Sequence, residues 1–172
     1  MGRKIDLGCG YRLNPGHIGF DIVSVKKLFP GVVPPHYEGD NFVQWDLYQF
    51  PWPIADSSVE HAILRYFVEY IPHRLPDQLA STPDLTNHLD GFYLFFEELY
   101  RVMQPYAKVQ IVHRLKDNGD PNLIRHLHQY SWQYLSKDWR DEAMVDDPNI
   151  NFHTEGIQDD GDEALVILDT VK

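Results

Sequence analysis

The sequence predicts an α/β fold built on an open, mostly parallel sheet. Short apolar strands alternate with helices and loops over residues 4–113, and two more strands flank a late acidic turn at residues 159–162. Alternating strands and helices are typical of parallel sheets, whereas two strands joined by a tight turn predict an antiparallel hairpin. Because 172 residues suffice for one hydrophobic core, we expect residues 1–172 to form a single domain.

Seven segments have the composition of strands. They are Lys4–Leu7, Ile18–Val23, Phe42–Leu47, Val59–Leu64, Lys108–His113, Ile150–Thr154 and Ala164–Val171. The best helix is Phe92–Met103, whose apolar residues share one face at helical spacing before Pro105 ends the pattern. A second helix is expected over Leu123–Leu135 and a short helical segment over Tyr66–Ile71. Prolines and glycines predict loops over residues 30–39 and 72–91.

The charge and composition exclude several classes of protein. The formal net charge is −11, so the surface repels phosphate backbones and a nucleic-acid substrate is disfavoured. No apolar run approaches the ~20 residues that cross a bilayer, and the first residues lack a secretory signal. Cys9 is the only cysteine, which excludes an internal disulfide. We therefore expect a cytoplasmic protein that does not bind membranes.

Acidic residues stand at the carboxyl ends of three strands. The first strand carries Asp6 and stops at Gly8 and Gly10, the second reaches Asp21, and the third reaches Asp46. Ligands bind beyond these ends in open α/β sheets, and glycines let the backbone turn tightly beside them. We expect Asp21 to accept hydrogen bonds from both ribose hydroxyls and Asp46 to accept one from an adenine amino group. We expect Asp6 to offset an ammonium group, either directly or by positioning the backbone. The pattern predicts an adenosine nucleoside with a cationic group.

A dinucleotide fits this loop less well. The dinucleotide fingerprint needs a third glycine and a helix N-terminus for the pyrophosphate. Here Leu13 occupies the third position, and Asn14-Pro15-Gly16 interrupts the chain directly afterwards. An oxidoreductase of the nicotinamide type is therefore disfavoured.

Three segments together carry the pattern of a known family. They are Ile5–Gly10, Phe50–Glu60 and Phe96–Pro105. In this order and spacing they resemble the first motif, the approach to strand 4, and the Glu-Leu-Tyr-Arg-Val helix and turn of class I S-adenosylmethionine-dependent methyltransferases, particularly the small type 11 group. The resemblance covers roughly residues 4–113. It implies a Rossmann-like, doubly wound, mostly parallel seven-stranded sheet with an antiparallel C-terminal hairpin strand, and S-adenosylmethionine as cofactor.

The resemblance and the strand ends together define the expected cofactor site. Its residues are Asp6, Gly8, Cys9, Gly10, Asp21, Ile22, Asp46, Leu47, Arg65 and Tyr66. Arg65 and Tyr66 follow strand 4, where the family contacts the methionine end or the substrate. No metal site is expected, because the closely spaced His126 and His128 do not share a helix face.

The sequence also departs from the family. Tyr106 and Ala107 replace the two glycines expected after Pro105, and Tyr70 replaces a histidine. The helix after strand 1 is nearly absent, which leaves one side of the expected pocket thinly covered unless a second subunit of a homo-oligomer covers it. The departures keep open a second hypothesis, a binding module that retains the pocket without turnover.

The leading hypothesis is a methyltransferase that acts on a small molecule or a sugar-containing acceptor. Methyl transfer needs alignment and exclusion of water, and a base only where the nucleophile carries a proton. His113, at the end of strand 5, is the expected catalytic residue, although a structural histidine bonded to the backbone fits the sequence equally well. His73, His88 and Asp120 are weaker candidates on loops.

Overall fold

The sheet of the protein is built from seven strands in the part of the chain that the structure, a computed structural model, describes (residues 2–23, 41–73, 90–116, 119–143 and 150–172). The strands are β1 (Arg3–Leu7), β2 (Ile18–Asp21), β3 (Phe42–Gln44), β4 (Val59–Arg65), β5 (Met103–Arg114), β6 (Phe152–Asp159) and β7 (Glu163–Thr170). Their order across the sheet is β3-β2-β1-β4-β5-β7-β6.

The strand directions confirm the predicted fold class. β1 pairs in parallel with β2 and β4, β2 with β3, and β4 with β5. β7 is antiparallel to both β5 and β6, which makes the C-terminal hairpin. Because β2 and β4 lie on opposite sides of β1, the strand order reverses there. The carboxyl end of β1 is therefore the position where an open α/β sheet binds ligands.

The helix before β5 packs the core. α1 (Gly91–Val102) lies within one residue of its predicted bounds at each end, and Asp90 caps it by accepting a hydrogen bond from the Phe92 amide at 2.8 Å. Phe95 and Phe96 are fully buried, and the Phe96 ring meets Trp132 and Phe152 edge-on. These contacts join α1 to the sheet and to the later part of the chain. No helix among the described residues is long and apolar enough to cross a membrane.

The predicted helix over Leu123–Leu135 is wrong. Only Gln129–Leu135 is helical, as a 3₁₀ segment, and an α-helix not predicted, α2 (Lys137–Ala143), follows it. The amides of Ile124 and Arg125 donate to the Glu69 carbonyl at 3.1 and 2.9 Å, so they do not close helical turns of their own. Glu69 belongs to a 3₁₀ turn at Val68–Tyr70, within the short helical segment expected after strand 4.

Other predicted bounds shift or fall outside the described residues. β3 ends three residues early, because a turn begins at Asp46, whose carbonyl accepts from the Gln49 amide at 2.9 Å. β6 extends to Asp159, five residues past its predicted end. The loops predicted over residues 30–39 and most of 72–91, together with His88, lie outside the described residues.

A hydroxyl closes the turn that lacks the two expected glycines. Tyr106 takes a left-handed conformation with φ of 60° in a bulge of β5, and its side chain is exposed. The buried Thr170 hydroxyl accepts from the Ala107 amide at 2.9 Å and donates to the Gln104 carbonyl at 2.5 Å. The last residue of β7 thus satisfies two backbone groups of a turn more than 60 residues earlier in the chain.

We expect Thr170→Val to destabilise the protein by about 1–3 kcal/mol, because a buried amide and a carbonyl lose their partner. Thr170→Ser keeps the hydroxyl and is the matched control, with a smaller loss. Urea unfolding of the three proteins measures the difference. Equal midpoints for Thr170→Val and the wild type would show that the hydroxyl contributes nothing.

Candidate functional site

The site is built around a bend at the end of β1. Gly8 has a φ of +66°, and its amide donates to the Phe20 carbonyl at 2.8 Å. A Cβ at Gly8 would lie 2.4 Å from Cδ2 of Phe67. Only glycine combines this left-handed conformation with so close an approach of an aromatic ring. Gly10 also has a positive φ, of +52°, but faces open space.

Asp6 lies beneath the bend and holds it in place. Its Oδ2 accepts from both the backbone amide and the side-chain amide of Asn14, at 2.9 and 2.7 Å. Its Oδ1 is buried with no hydrogen-bond partner among the described residues. Burial raises the pKa of the Asp6 carboxyl, and the Asn14 hydrogen bonds and Arg65 oppose the rise. Of the two roles expected for Asp6, the structure favours the positioning of the backbone.

Asp21 ties the end of β2 to the glycine loop. Its Oδ2 accepts from the Gly10 amide at 2.9 Å and its Oδ1 from the Val23 amide at 3.1 Å. Each carboxylate oxygen has two lone pairs, so each keeps one for a further donor. The side chain therefore orders the loop and still has the capacity to accept from a diol.

The structure brings Asp21 and Asp46 together beside Gly8. A cavity of about 130 Å³ is lined by Gly8, Asp21, Ile22, Asp46, Leu47, Tyr48 and Phe67. Asp46 uses Oδ1 to accept from the Tyr48 amide at 2.9 Å, and its Oδ2 has no partner among the described residues. The predicted convergence of these strand-end acids on one cavity is therefore present.

An aromatic pair, Tyr48 and Phe67, forms part of this cavity. The two rings stack with centroids 5.9 Å apart, and the Tyr48 hydroxyl donates to the Tyr70 carbonyl at 3.0 Å. Burial, reinforced by Asp46, raises the pKa of Tyr48 to about 12, so the hydroxyl stays protonated. Sequence reasoning missed both rings, although each lies within two residues of a predicted site residue.

A second cavity adjoins the first at Gly8. It has a volume of about 460 Å³ and is lined by Gly8, Cys9, Gly10, Tyr11, Arg12, Arg65, Tyr66 and Arg114. Arg65 donates to the Arg12 carbonyl and lies 3.6 Å from Oδ2 of Asp6. Tyr66 adopts a φ of +53° and donates its hydroxyl to Glu163 at 2.8 Å. All the predicted cofactor residues except Asp6 line one or both cavities.

The comparisons with known proteins identify the fold. No protein-family model and no curated protein matches the sequence. Among solved structures, a methyltransferase from Methanosarcina mazei described as S-adenosylmethionine-dependent superposes with a TM-score of 0.56, at 15% identity over 99% of this chain and 92% of that one. A Burkholderia thailandensis N1-methyltransferase with bound 1,6-didemethyltoxoflavin and S-adenosylhomocysteine has a TM-score of 0.59, at 12% identity over 99% and 72% of the two chains.

The chain has the class I methyltransferase fold. The [4+2]-cyclase SpnF also matches, with a TM-score of 0.59 at 10% identity over 99% of this chain and 74% of that one. The class I methyltransferase fold thus occurs among these structures with an activity other than methyl transfer. The activity of this chain must therefore be argued from its own cavities.

His113 does not reach either cavity of the methyltransferase fold. The residue is fully buried, with Nδ1 3.0 Å from the Arg114 carbonyl and Nε2 3.3 Å from the indole N–H of Trp132. Nδ1 donates and Nε2 accepts, so both nitrogens are engaged. Burial lowers the pKa of His113. We therefore replace the expected catalytic role with the structural role that the sequence left open.

The other described candidates, His73 and Asp120, also lie outside the lining of both cavities. Nδ1 of His73 is 2.8 Å from Asp90, and Asp120 accepts from the Tyr70 hydroxyl at 2.6 Å. Neither side chain therefore has a position that supports a direct role at the cavities.

We expect His113 and His61 to lower the free energy of unfolding as the pH drops below about 6.5, the ordinary histidine pKa. Burial lowers the pKa of His113 and of His61 in the folded state, so the unfolded chain binds protons first and acid favours unfolding. Each such group contributes at most about 1.4 kcal/mol per pH unit. Chemical unfolding between pH 7.5 and 5.5 measures the slope.

His113→Gln should reduce this slope, and His126→Gln, which removes an exposed histidine, is the matched control. The substitution at His113 also lowers the free energy of unfolding at all pH values, but only the change in its slope with pH measures proton binding by His113. A slope as steep in His113→Gln as in the wild type would contradict the assignment.

Proposed function

We propose that this protein is an S-adenosylmethionine-dependent methyltransferase that acts on a small-molecule or sugar-containing acceptor. One observation carries the proposal: two cavities meet at Gly8, one beside the acids that end β2 and β3, the other beside arginines. A nucleoside joined to an amino acid has this division into two parts. The methyltransferase neighbour with bound S-adenosylhomocysteine has the same fold, which supports this choice of cofactor.

The smaller cavity suits the adenosine. The remaining lone pairs of Asp21 would accept hydrogen bonds from the ribose hydroxyls, and Oδ2 of Asp46 would accept one from the adenine amino group. Tyr48 and Phe67, with the aliphatic side chain of Leu47, would contact the apolar parts of the nucleoside. The donors and acceptors of the cavity therefore fit a nucleoside without a phosphate.

The larger cavity suits the methionine end. Arg65 would bind its carboxylate, and the left-handed backbone at Gly8 and Gly10 leaves space beside it. Leu13, which stands where a dinucleotide site has its third glycine, is buried against Gly19. This packing leaves no glycine-lined helix terminus for a pyrophosphate and disfavours a nicotinamide cofactor.

When bound, S-adenosylmethionine supplies an electrophilic methyl group for an in-line displacement. The chain would contribute mainly alignment of the acceptor and exclusion of water. Because both nitrogens of His113 are engaged, the proposal assigns no proton transfer to it. We also propose a cytoplasmic location, which the buried single cysteine Cys9 supports.

A second candidate function is cofactor binding without methyl transfer. It is favoured by the link between β1 and β2, which contains turns where the resembled family has a helix. The cyclase SpnF supports the same alternative, because its fold matches although its name describes a different reaction. Binding together with an absence of methyl transfer to any of a panel of acceptors would favour this candidate.

We expect S-adenosylhomocysteine to bind and NAD not to bind in calorimetric titrations. Asp21→Ala should weaken binding of S-adenosylhomocysteine by more than about 1 kcal/mol, because the ribose hydroxyls lose a charged acceptor. Asp21→Asn keeps an acceptor of the same shape and should weaken binding less. Gly8 offers a poorer test, because any side chain there meets Phe67.

Circular dichroism establishes that each Asp21 variant is folded before titration. Unchanged affinity in folded Asp21→Ala would remove Asp21 from the proposed site. Binding of NAD in place of S-adenosylhomocysteine would overturn the proposed function.

A further inference from the structure

The larger cavity is lined by three arginines and by no acidic side chain. Arg12, Arg65 and Arg114 share the lining with glycines, a cysteine and tyrosines. The chain as a whole carries a formal charge of −11, so a cluster of three arginines is not expected from its overall composition. A cluster of guanidinium groups facing a cavity of about 460 Å³ is suited to binding anions.

Arg114 is held in a fixed orientation at this cavity. Its guanidinium carbon lies 4.7 Å from the centre of the Tyr66 ring, and that ring is fixed in turn by its hydroxyl bond to Glu163. Nη1 lies 3.4 Å from the Tyr70 hydroxyl, and the other N–H donors of the guanidinium have no partner among the described residues. Stacking thus fixes the plane and leaves donors for a ligand.

The carboxylates near Arg114 leave its remaining guanidinium donors available to a ligand. Glu69 lies 3.9 Å from Nη1 of Arg114, beyond hydrogen-bond distance, and its Oε1 already accepts from the Arg114 amide at 2.8 Å. Glu69 is buried beneath the cavity, and burial raises the pKa of its carboxyl. Asp120 is a second nearby carboxylate: it accepts from the Tyr70 hydroxyl, and that bond, with a smaller effect of Arg114, lowers its pKa. Glu69 and Asp120 partly neutralise the guanidinium, but neither accepts a hydrogen bond from it among the described residues.

The positive charge of Arg12 is balanced even less by neighbouring carboxylates. Its side chain is exposed, lies 5.2 Å from the Tyr11 ring, and forms no ion pair with any described residue. Its carbonyl accepts from Arg65, which fixes the backbone that carries it to the cavity. The rim of the cavity therefore presents a cation whose position is set by the loop.

The cofactor accounts for only one of these three cations. The methionine end of S-adenosylmethionine carries one carboxylate, which the proposed function assigns to Arg65. That arginine lies 3.6 Å from Asp6 and is the one already held against the glycine loop. The guanidinium groups of Arg12 and Arg114 remain.

We propose that the methyl acceptor carries a carboxylate or phosphate group that binds Arg12 and Arg114. This inference rests on the proposed function, because it places the acceptor next to the methionine end of the cofactor. The size of the cavity and the net negative charge of the chain favour a small anion over a nucleic acid, whose repeated phosphates the acidic surface repels. Carboxylate and phosphate share the geometry that a guanidinium recognises.

The test measures anion binding with and without saturating S-adenosylhomocysteine. Inorganic phosphate and malonate are titrated separately by calorimetry at pH 7.5 and low ionic strength, where screening is weak. The variants are Arg12→Gln, Arg114→Gln and Arg65→Gln. Arg3→Gln removes an exposed cation at the opposite end of β1 and is the matched control for net charge.

We expect Arg12→Gln and Arg114→Gln each to weaken binding of the preferred anion by about fivefold or more, because each loses a charge-assisted hydrogen bond. Their affinity for S-adenosylhomocysteine should change less than about twofold. Arg65→Gln should show the reverse, and Arg3→Gln should change neither. Tighter binding of phosphate or of malonate identifies the class of anion.

Three results would overturn the inference. The first is that neither anion binds. The second is that Arg3→Gln loses as much affinity for the anion as Arg12→Gln does. The third is that Arg12→Gln loses affinity for S-adenosylhomocysteine and keeps its affinity for the anion. Failure of the proposed function looks different: wild-type protein would bind phosphate or malonate through Arg12 and Arg114 but would not bind S-adenosylhomocysteine. Arg12 is exposed, so its variant tests the inference even where Arg114→Gln unfolds the protein.

Discussion

The contact between Gly8 and the Phe67 ring determines the shape of the whole site. The left-handed bend at Gly8 turns the chain away from β1, and the ring of Phe67, just beyond β4, packs against the position that a Cβ would occupy. Two carboxylates secure the bend from different sides: Asp6 holds Asn14, and Asp21 holds Gly10. Both cavities include Gly8 in their walls, so their geometry depends on this contact.

The parts of the fold that depend on local pattern were predictable. The apolar strands and α1 appear near their predicted positions because burial and helical spacing leave a clear signal. The convergence of Asp21 and Asp46 follows from a topological rule, since parallel strands bring their carboxyl ends to one edge. The helix expected from Leu123 failed because two of its amides bond to the carbonyl of Glu69, a distant partner that local sequence does not reveal.

The candidate site shows where side-chain direction limits such reasoning. The end of β5 was correctly expected near the site, but adjacent residues on a strand point to opposite faces. His113 points inward to Trp132, and its neighbour Arg114 lines the cavity. Val109 and Ile111 are buried and alternate with less buried neighbours. Continuing this alternation places His113 on the buried face and Arg114 on the opposite one, so the strand pattern contained a signal that the choice of His113 did not use. The role of Thr170 was hidden for a different reason, since its partners lie more than 60 residues away.

The position of β7 has a consequence for biosynthesis. β7 comes last of the seven described strands along the chain, yet it lies inside the sheet between β5 and β6. A nascent chain interrupted before Glu163 therefore exposes β5, a 12-residue strand, along an edge whose amides and carbonyls await a partner. Such edges recruit other chains. Termination before Glu163 is thus expected to yield aggregates, and the sheet closes only once β7 has been synthesised.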